Sequence, residues 1–120
     1  MFDFTSQQLA DKVREVAQDY PDNVYKAEHD DSCVYFNIGQ DGYYSASCIV
    51  GHALHRLGVK LEDIEEFNNG TVNELFEVYM PRVNRDTATD KWLTTVQDYQ
   101  DFQMPWGQCV KKADSVLRKD

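Results

Sequence analysis

A chain of 120 residues with 42% hydrophobic side chains, including two Trp, seven Tyr and six Phe, has enough apolar material for one packed domain and too little length for two. Its 12 Lys+Arg against 21 Asp+Glu, a net charge of −9, opposes direct nucleic-acid binding and adsorption to anionic membranes, since both need a basic surface. No run approaches the roughly 18 apolar residues of a membrane span, and Met1-Phe2-Asp3-Phe4-Thr5-Ser6-Gln7-Gln8 has no basic region and no apolar run, so no secretory signal is expected.

The first element opens at Thr5-Ser6-Gln7-Gln8, where Thr5 and Gln8 match a capping box. Leu9, Val13, Val16 and Tyr20 follow at helical spacing, and Pro21 ends the run, so a helix is expected over 5–19. Residues 21–32, with Asp22, Asn23, Asp30 and Asp31, read as a polar loop. From Cys33 to Ile38 the chain alternates, Val34, Phe36 and Ile38 facing one way and Cys33, Tyr35 and Asn37 the other. Gly39-Gln40-Asp41-Gly42 supplies hairpin chemistry, and Tyr43-Tyr44 begin the return strand. Two strands alone are marginal, so the hairpin is expected to lie on helices.

Ser47 is the expected N-cap of a helix over 48–57, and Gly58 falls where a left-handed C-terminal residue is wanted. Leu61–Phe67 reads as a short helix stopped by Asn68-Asn69-Gly70. Thr71 and Glu74 form a second capping box, opening a helix over 72–79 that Pro81 stops. Asp86 or Thr87 starts the next, with Trp92, Val96 and Tyr99 on one face and an end near Gln103. Pro105 suits the first turn of a last helix lined by Trp106, Val110, Ala113 and Leu117. The fold class is therefore mainly α with one small β-hairpin (α+β), a compact single domain over 1–120 of five or six short helices.

Charge divides unevenly along the chain. Residues 1–77 hold 15 Asp+Glu and 5 Lys+Arg, a net of −10, and residues 78–120 hold 6 and 7, a net of +1. The acidic part could be a contact face for a basic partner, or a DNA mimic that inhibits a nuclease or a DNA-binding protein. Mimicry would need ordered rows of carboxylates.

Cysteines stand at 33, 48 and 109, an odd number without a CxxC pair, so free thiols in a reducing compartment are expected. On a helix, with Cys48 at zero, His52 falls near about 40° and His55 near about −20°. A thiolate and two imidazoles on one face are competent for zinc, with Cys33 as a possible fourth ligand. The plainer expectation has them as polar residues under the hairpin, a histidine bonding to backbone. Nucleophilic catalysis by Cys48 would need an oxyanion hole and an orienting third group, and neither is in view. No catalytic or cofactor-binding residue is assigned. Cys109 lies on the apolar stripe of the last helix and reads as core.

Leu61–Leu75 has the rhythm of a helix-turn-helix. Glu62, Asp63, Glu65, Glu66, Glu74 and Glu77 would all repel phosphates, so it reads as an αα-turn with no DNA role. The aromatic run Trp92, Tyr99, Phe102, Trp106 reads as core rather than a stacking platform. Gln97 and Gln100 sit about 60° apart on their helix, and their amides are expected to satisfy the Met104–Gly107 turn.

Two stretches, Ser47-Cys48-Ile49-Val50-Gly51-His52-Ala53-Leu54-His55-Arg56-Leu57-Gly58-Val59 and Trp92-Leu93-x-x-Val96-Gln97-x-x-Gln100-Asp101 followed by Pro105-Trp106-Gly107-Gln108-Cys109-Val110, resemble a family of small proteins of actinobacteria and their bacteriophages. Phe102 and Cys109 stand where that family has a small residue. The resemblance covers about 32 of 120 residues, carries no catalytic assignment, and implies a phage or actinobacterial origin. Small phage accessory proteins commonly bind host proteins. The expectation is a non-enzymatic accessory protein of the cytoplasm (the host cytoplasm if phage-encoded), binding a host protein, as monomer or homodimer. The competing reading is a metal-binding protein using Cys48, His52 and His55.

Overall fold

In a computed structural model, which describes residues 2–25, 35–38, 40–67 and 70–117, five α-helices and two 3-10 segments surround one antiparallel hairpin. Helix α1 spans Ser6–Asp19, and its capping box forms as the spacing predicts: the Thr5 hydroxyl accepts from the Gln8 amide and the Gln8 side chain accepts from the Thr5 amide. Leu9, Val13 and Val16 are fully buried, with Ala10 and Ala17 beside them.

Strand β1 (Phe36–Ile38) pairs with β2 (Tyr44–Ala46), Phe36 opposite Ala46 and Ile38 opposite Tyr44. Asp41 holds the turn by accepting from the Tyr43 amide at 3.0 Å. Cys33, Val34 and Gly39, like Asp30, Asp31, Asn68 and Asn69, lie outside the described residues. Tyr35 corrects the alternation. It precedes the paired strand, in a bend, and is as buried as Phe36. Its ring turns inward because its hydroxyl has partners there, donating to the Gly70 carbonyl at 2.9 Å.

Helix α2 (Ile49–Arg56) is capped by Cys48, not Ser47: the Cys48 sulfur accepts from the Gly51 amide at 3.4 Å. This helix is covered on most of its surface. Ile49, Val50, Gly51, Ala53 and Leu54 are all buried, because α1 packs on one side, the hairpin on another, and α4 on a third. Gly58 ends it with φ +88°, the left-handed conformation expected there. Leu61–Phe67 is a 3-10 helix kinked at Ile64. It buries Leu61 and Ile64 and exposes Glu62, Asp63, Glu65 and Glu66, which makes the following turn an αα connection without a basic face.

Helix α3 (Val72–Tyr79) carries the second expected capping box, Thr71 with Glu74. After a 3-10 turn at Arg82–Asn84, Asp86 caps α4 (Thr87–Asp101), which ends two residues before the expected Gln103. Helix α5 (Trp106–Leu117) buries Trp106, Cys109 and Ala113. Of the aromatic run, Trp92 and Trp106 are core, but Phe102 is 82% exposed at the C-cap of α4. The turn that follows, with Gln103 at φ 64°, carries it out of the stripe.

Three helices meet at Asp114. Its carboxylate accepts both terminal nitrogens of Arg14, at 2.9 and 2.7 Å, and the Trp92 indole N–H at 2.8 Å. The Arg14 guanidinium also lies 4.4 Å from the Trp92 ring centroid. Removing this acceptor with Asp114→Ala is expected to lower stability by about 1–2 kcal/mol, limited by partial exposure of the pair. Urea unfolding monitored by tryptophan fluorescence measures it; a change within about 0.3 kcal/mol, the scale of a minor surface edit, would remove the junction from the account of the core.

Candidate functional site

Only part of the sequence-derived Cys/His face comes together. Cys48 is fully buried at the start of α2, its sulfur engaged by the Gly51 amide. His52 is half-buried, its ring edge-on to Trp106 at 5.3 Å between centroids and tilted against Tyr20 at 6.3 Å. His55 is exposed. The element under the hairpin is therefore Gly51 rather than the two imidazoles. Among the described residues, no three His, Cys, Asp or Glu side chains are grouped to hold a metal ion; Cys33, the conjectured fourth ligand, lies outside them. Cys48 and Cys109 are free thiols. Cys109 is a core residue as expected, its sulfur donating to the Met104 carbonyl, and burial pushes its thiol up to about 12, far from nucleophilic readiness.

Burial lowers the His52 pKa, and the positive charges of Arg56 and His55 lower it further. The folded chain thus takes up a proton at lower pH than the unfolded one. His52 supports stability fully above the ordinary histidine value of 6.5, and that support fades as pH falls through the lower folded value. The apparent Tm is expected to fall between about pH 7.5 and 5.5, and His52→Gln is expected to flatten that slope. Parallel slopes for the two proteins would assign the effect to other groups.

Two groups of acids differ in their partners. Glu15 and Asp19 are both bonded to Arg56, at 2.9 and 2.7 Å, and Glu77 and Asp90 to Arg85, at 2.8 and 3.1 Å. Hydrogen bonds from Lys12 and then Arg56 hold the Glu15 carboxyl below its usual range, and Arg85 does the same for Glu77. In contrast, Asp3, Glu62, Asp63 and Glu66 are exposed and make no ion pair among the described residues. Glu65, beside them, accepts the Tyr44 hydroxyl at 2.9 Å, which raises the Tyr44 pKa.

This unpaired group adjoins a cavity of ≈ 520 Å³. The N-terminal segment reaches it because the Phe2 amide donates to the Tyr79 carbonyl at the end of α3. Phe4, Phe2 and Tyr79 then form a stacked row, with centroids 4.8 and 5.3 Å apart. Leu57 and Val59 from the α2 terminus and Ile64 from the 3-10 helix complete the apolar lining, and Asp3, Lys60 and Asp63 supply its charges. A second hollow of ≈ 220 Å³ shares Gly58, Val59 and Lys60 and adds Tyr44, His55, Leu61 and Glu62. The acidic character of residues 1–77 was visible in the sequence. The cavity was not, because Phe2 and Phe4 lie more than 50 residues from its other walls.

The two buried glutamines also form a constellation, although a structural one. Gln100 accepts the Ile49 amide at 2.7 Å, and Gln97 accepts the Val72 amide at 3.0 Å while donating to the Tyr35 hydroxyl at 3.1 Å. They serve the starts of α2 and α3, not the Met104–Gly107 turn expected from sequence. That turn is held elsewhere, by the Trp106 and Gly107 amides donating to the Asn23 and Pro21 carbonyls. No helix of the described residues is long and apolar enough to cross a membrane. No family model, curated protein or solved structure matches the chain.

Proposed function

We propose that this protein is a non-enzymatic binding module whose partner is a basic protein, the contact surface lying in the acidic half of the chain. The observation that carries this reading is the segregation of its carboxylates. Glu15 and Asp19 of α1, Glu77 of α3 and Asp90 of α4 are engaged by Arg56 and Arg85, whereas Asp3 and Asp63 line an apolar hollow, with Glu62 and Glu66 on the same 3-10 helix as Asp63, and none of these four makes an ion pair among the described residues. Unpaired charge of one sign on a surface raises the encounter rate with a partner of the other sign and suppresses wrong partners. The thiols add support from the other direction, since Cys48 caps a helix inside the core and the Cys109 thiol is held protonated. With the motif resemblance, the reading becomes a phage or actinobacterial accessory factor acting on a host protein in the cytoplasm.

Carboxylate-directed cross-linking in a lysate of an actinobacterial host, followed by mass spectrometry, tests the role. Cross-links to basic proteins should concentrate on residues 61–67, weaken at high salt, and disappear in Glu62→Lys with Glu66→Lys. Cross-links spread over all acidic positions, or unchanged by the charge reversal, would refute the proposal. Stoichiometric zinc in the purified protein would favour the competing metal-binding reading through Cys48, His52 and His55.

A further inference from the structure

We propose that the cavity walled by Phe2, Phe4 and Tyr79 seats an arginine- or lysine-bearing, partly apolar segment of the basic partner, an inference that rests on the binding role proposed above. The volume, ≈ 520 Å³, lies within the roughly 300–1,000 Å³ of ligand-binding pockets and exceeds what one side chain fills. Its chemistry selects the occupant. Asp3 and Asp63, which make no ion pair among the described residues, outnumber Lys60 in its lining, so an acidic group is disfavoured. A purely apolar group would desolvate those carboxylates without compensation. A guanidinium or ammonium head meets both: it bonds to carboxylate with charge assistance, and it is attracted to aromatic faces. Its methylene stem packs on the partly exposed Leu57 and Val59, as long cationic side chains do on apolar surface.

The second hollow argues for a peptide over a small amine. It lies across the same Gly58–Lys60 turn and carries Glu62 beside Tyr44 and Leu61, repeating the pairing of a carboxylate with apolar walls. Two such hollows flanking one turn suit an extended chain that places one side chain in each. Lys60 borders both and supplies a repulsive element that disfavours very densely basic segments, leaving alternation of basic and apolar residues as the best fit.

Two synthetic hexapeptide amides test this, one alternating arginine with leucine and one alternating arginine with serine. Each is titrated into isotopically labelled protein, with amide shifts read by NMR. The leucine peptide should shift the amides of residues 2–4, 58–63 and Tyr79 and bind at least tenfold more tightly than the serine peptide. Asp3→Lys combined with Asp63→Lys, both on exposed positions, should weaken it at least tenfold. Equal affinity for the two peptides, or shifts centred on α1 or α4, would overturn the cavity as the seat while leaving a basic partner standing. Absence of binding by either peptide at low salt would overturn both.

Discussion

Gly51→Ala is expected to cost at least about 3 kcal/mol and to detach the hairpin from α2, the scale of overpacking against rigid backbone. Helix propensity alone predicts the opposite sign, since alanine in a helix interior gains about 1 kcal/mol over glycine. The difference lies in what a methyl group would meet. A Cβ on Gly51 falls well inside contact distance of the Tyr35 carbonyl oxygen and 2.8 Å from its carbonyl carbon. Both are backbone atoms, so no rotamer change relieves the clash. That carbonyl cannot withdraw freely either, because it accepts the Ser47 amide at 3.0 Å, which closes the hairpin onto the helix start. Tyr35 is fully buried and its hydroxyl is tied to Gly70 and Gln97, so moving its backbone disturbs three elements at once. Gly58→Ala is the control. Its φ of +88° makes alanine strained, but nothing lies within 4 Å of the added methyl, and a loss of only about 1–2 kcal/mol is expected. Urea unfolding of the two variants separates them. A Gly51→Ala protein at least as stable as the parent would mean that the hairpin does not rest on α2.

The local elements were legible because their signals are local. Both capping boxes, Thr5 with Gln8 and Thr71 with Glu74, are read within four residues and form as read. The glycine that ends α2 and the prolines beyond α1 and α3 have steric consequences that no tertiary contact overrides. What failed was local inference about surroundings. Ser47 is a better intrinsic cap than Cys48, yet Cys48 takes the position because the bond from Ser47 to Tyr35 ties Ser47 to the hairpin. The angular argument placed Cys48, His52 and His55 on one face, and helical geometry does so; it could not say that a neighbour covers Cys48 while His55 stays wet. The cavity was invisible for the same reason, since Phe2, Leu57 and Tyr79 become neighbours only after the N-terminal segment bonds to the end of α3. The acidic stretch 62–66 was legible as a repellent of phosphate. Its lack of ion pairs among the described residues could be known only once Arg56 and Arg85 were seen to be committed elsewhere.

Gln97→Leu and Gln100→Leu are each expected to cost about 1–3 kcal/mol, although leucine is the more favourable residue in a buried site by hydrophobicity. The first amides of a helix have no intrahelical acceptor. In α2 and α3 the cap side chains, Cys48 and Thr71, satisfy the third amide, which leaves the first exposed to desolvation inside the core. The Gln100 carbonyl oxygen fills that need for Ile49, and that of Gln97 fills it for Val72. With leucine in place, a buried N–H loses its acceptor where water has little access, for Gln100 and Gln97 are 0% and 2% exposed. The two positions serve different helices, so the double variant should approach the sum of the singles, about 2–6 kcal/mol, within the usual error for sites without a shared partner. Tyr35→Phe gives the opposite pattern. Its hydroxyl accepts from Gln97 and donates to Gly70, so it should couple strongly with Gln97→Leu and weakly with Gln100→Leu. Equilibrium unfolding of the three singles and the three pairs completes the cycles. If Gln97→Leu and Tyr35→Phe prove additive, the link from α4 through Tyr35 to the start of α3 is not a connected network, and the hairpin would be anchored by the contact at Gly51 and the Tyr44–Glu65 bond without it.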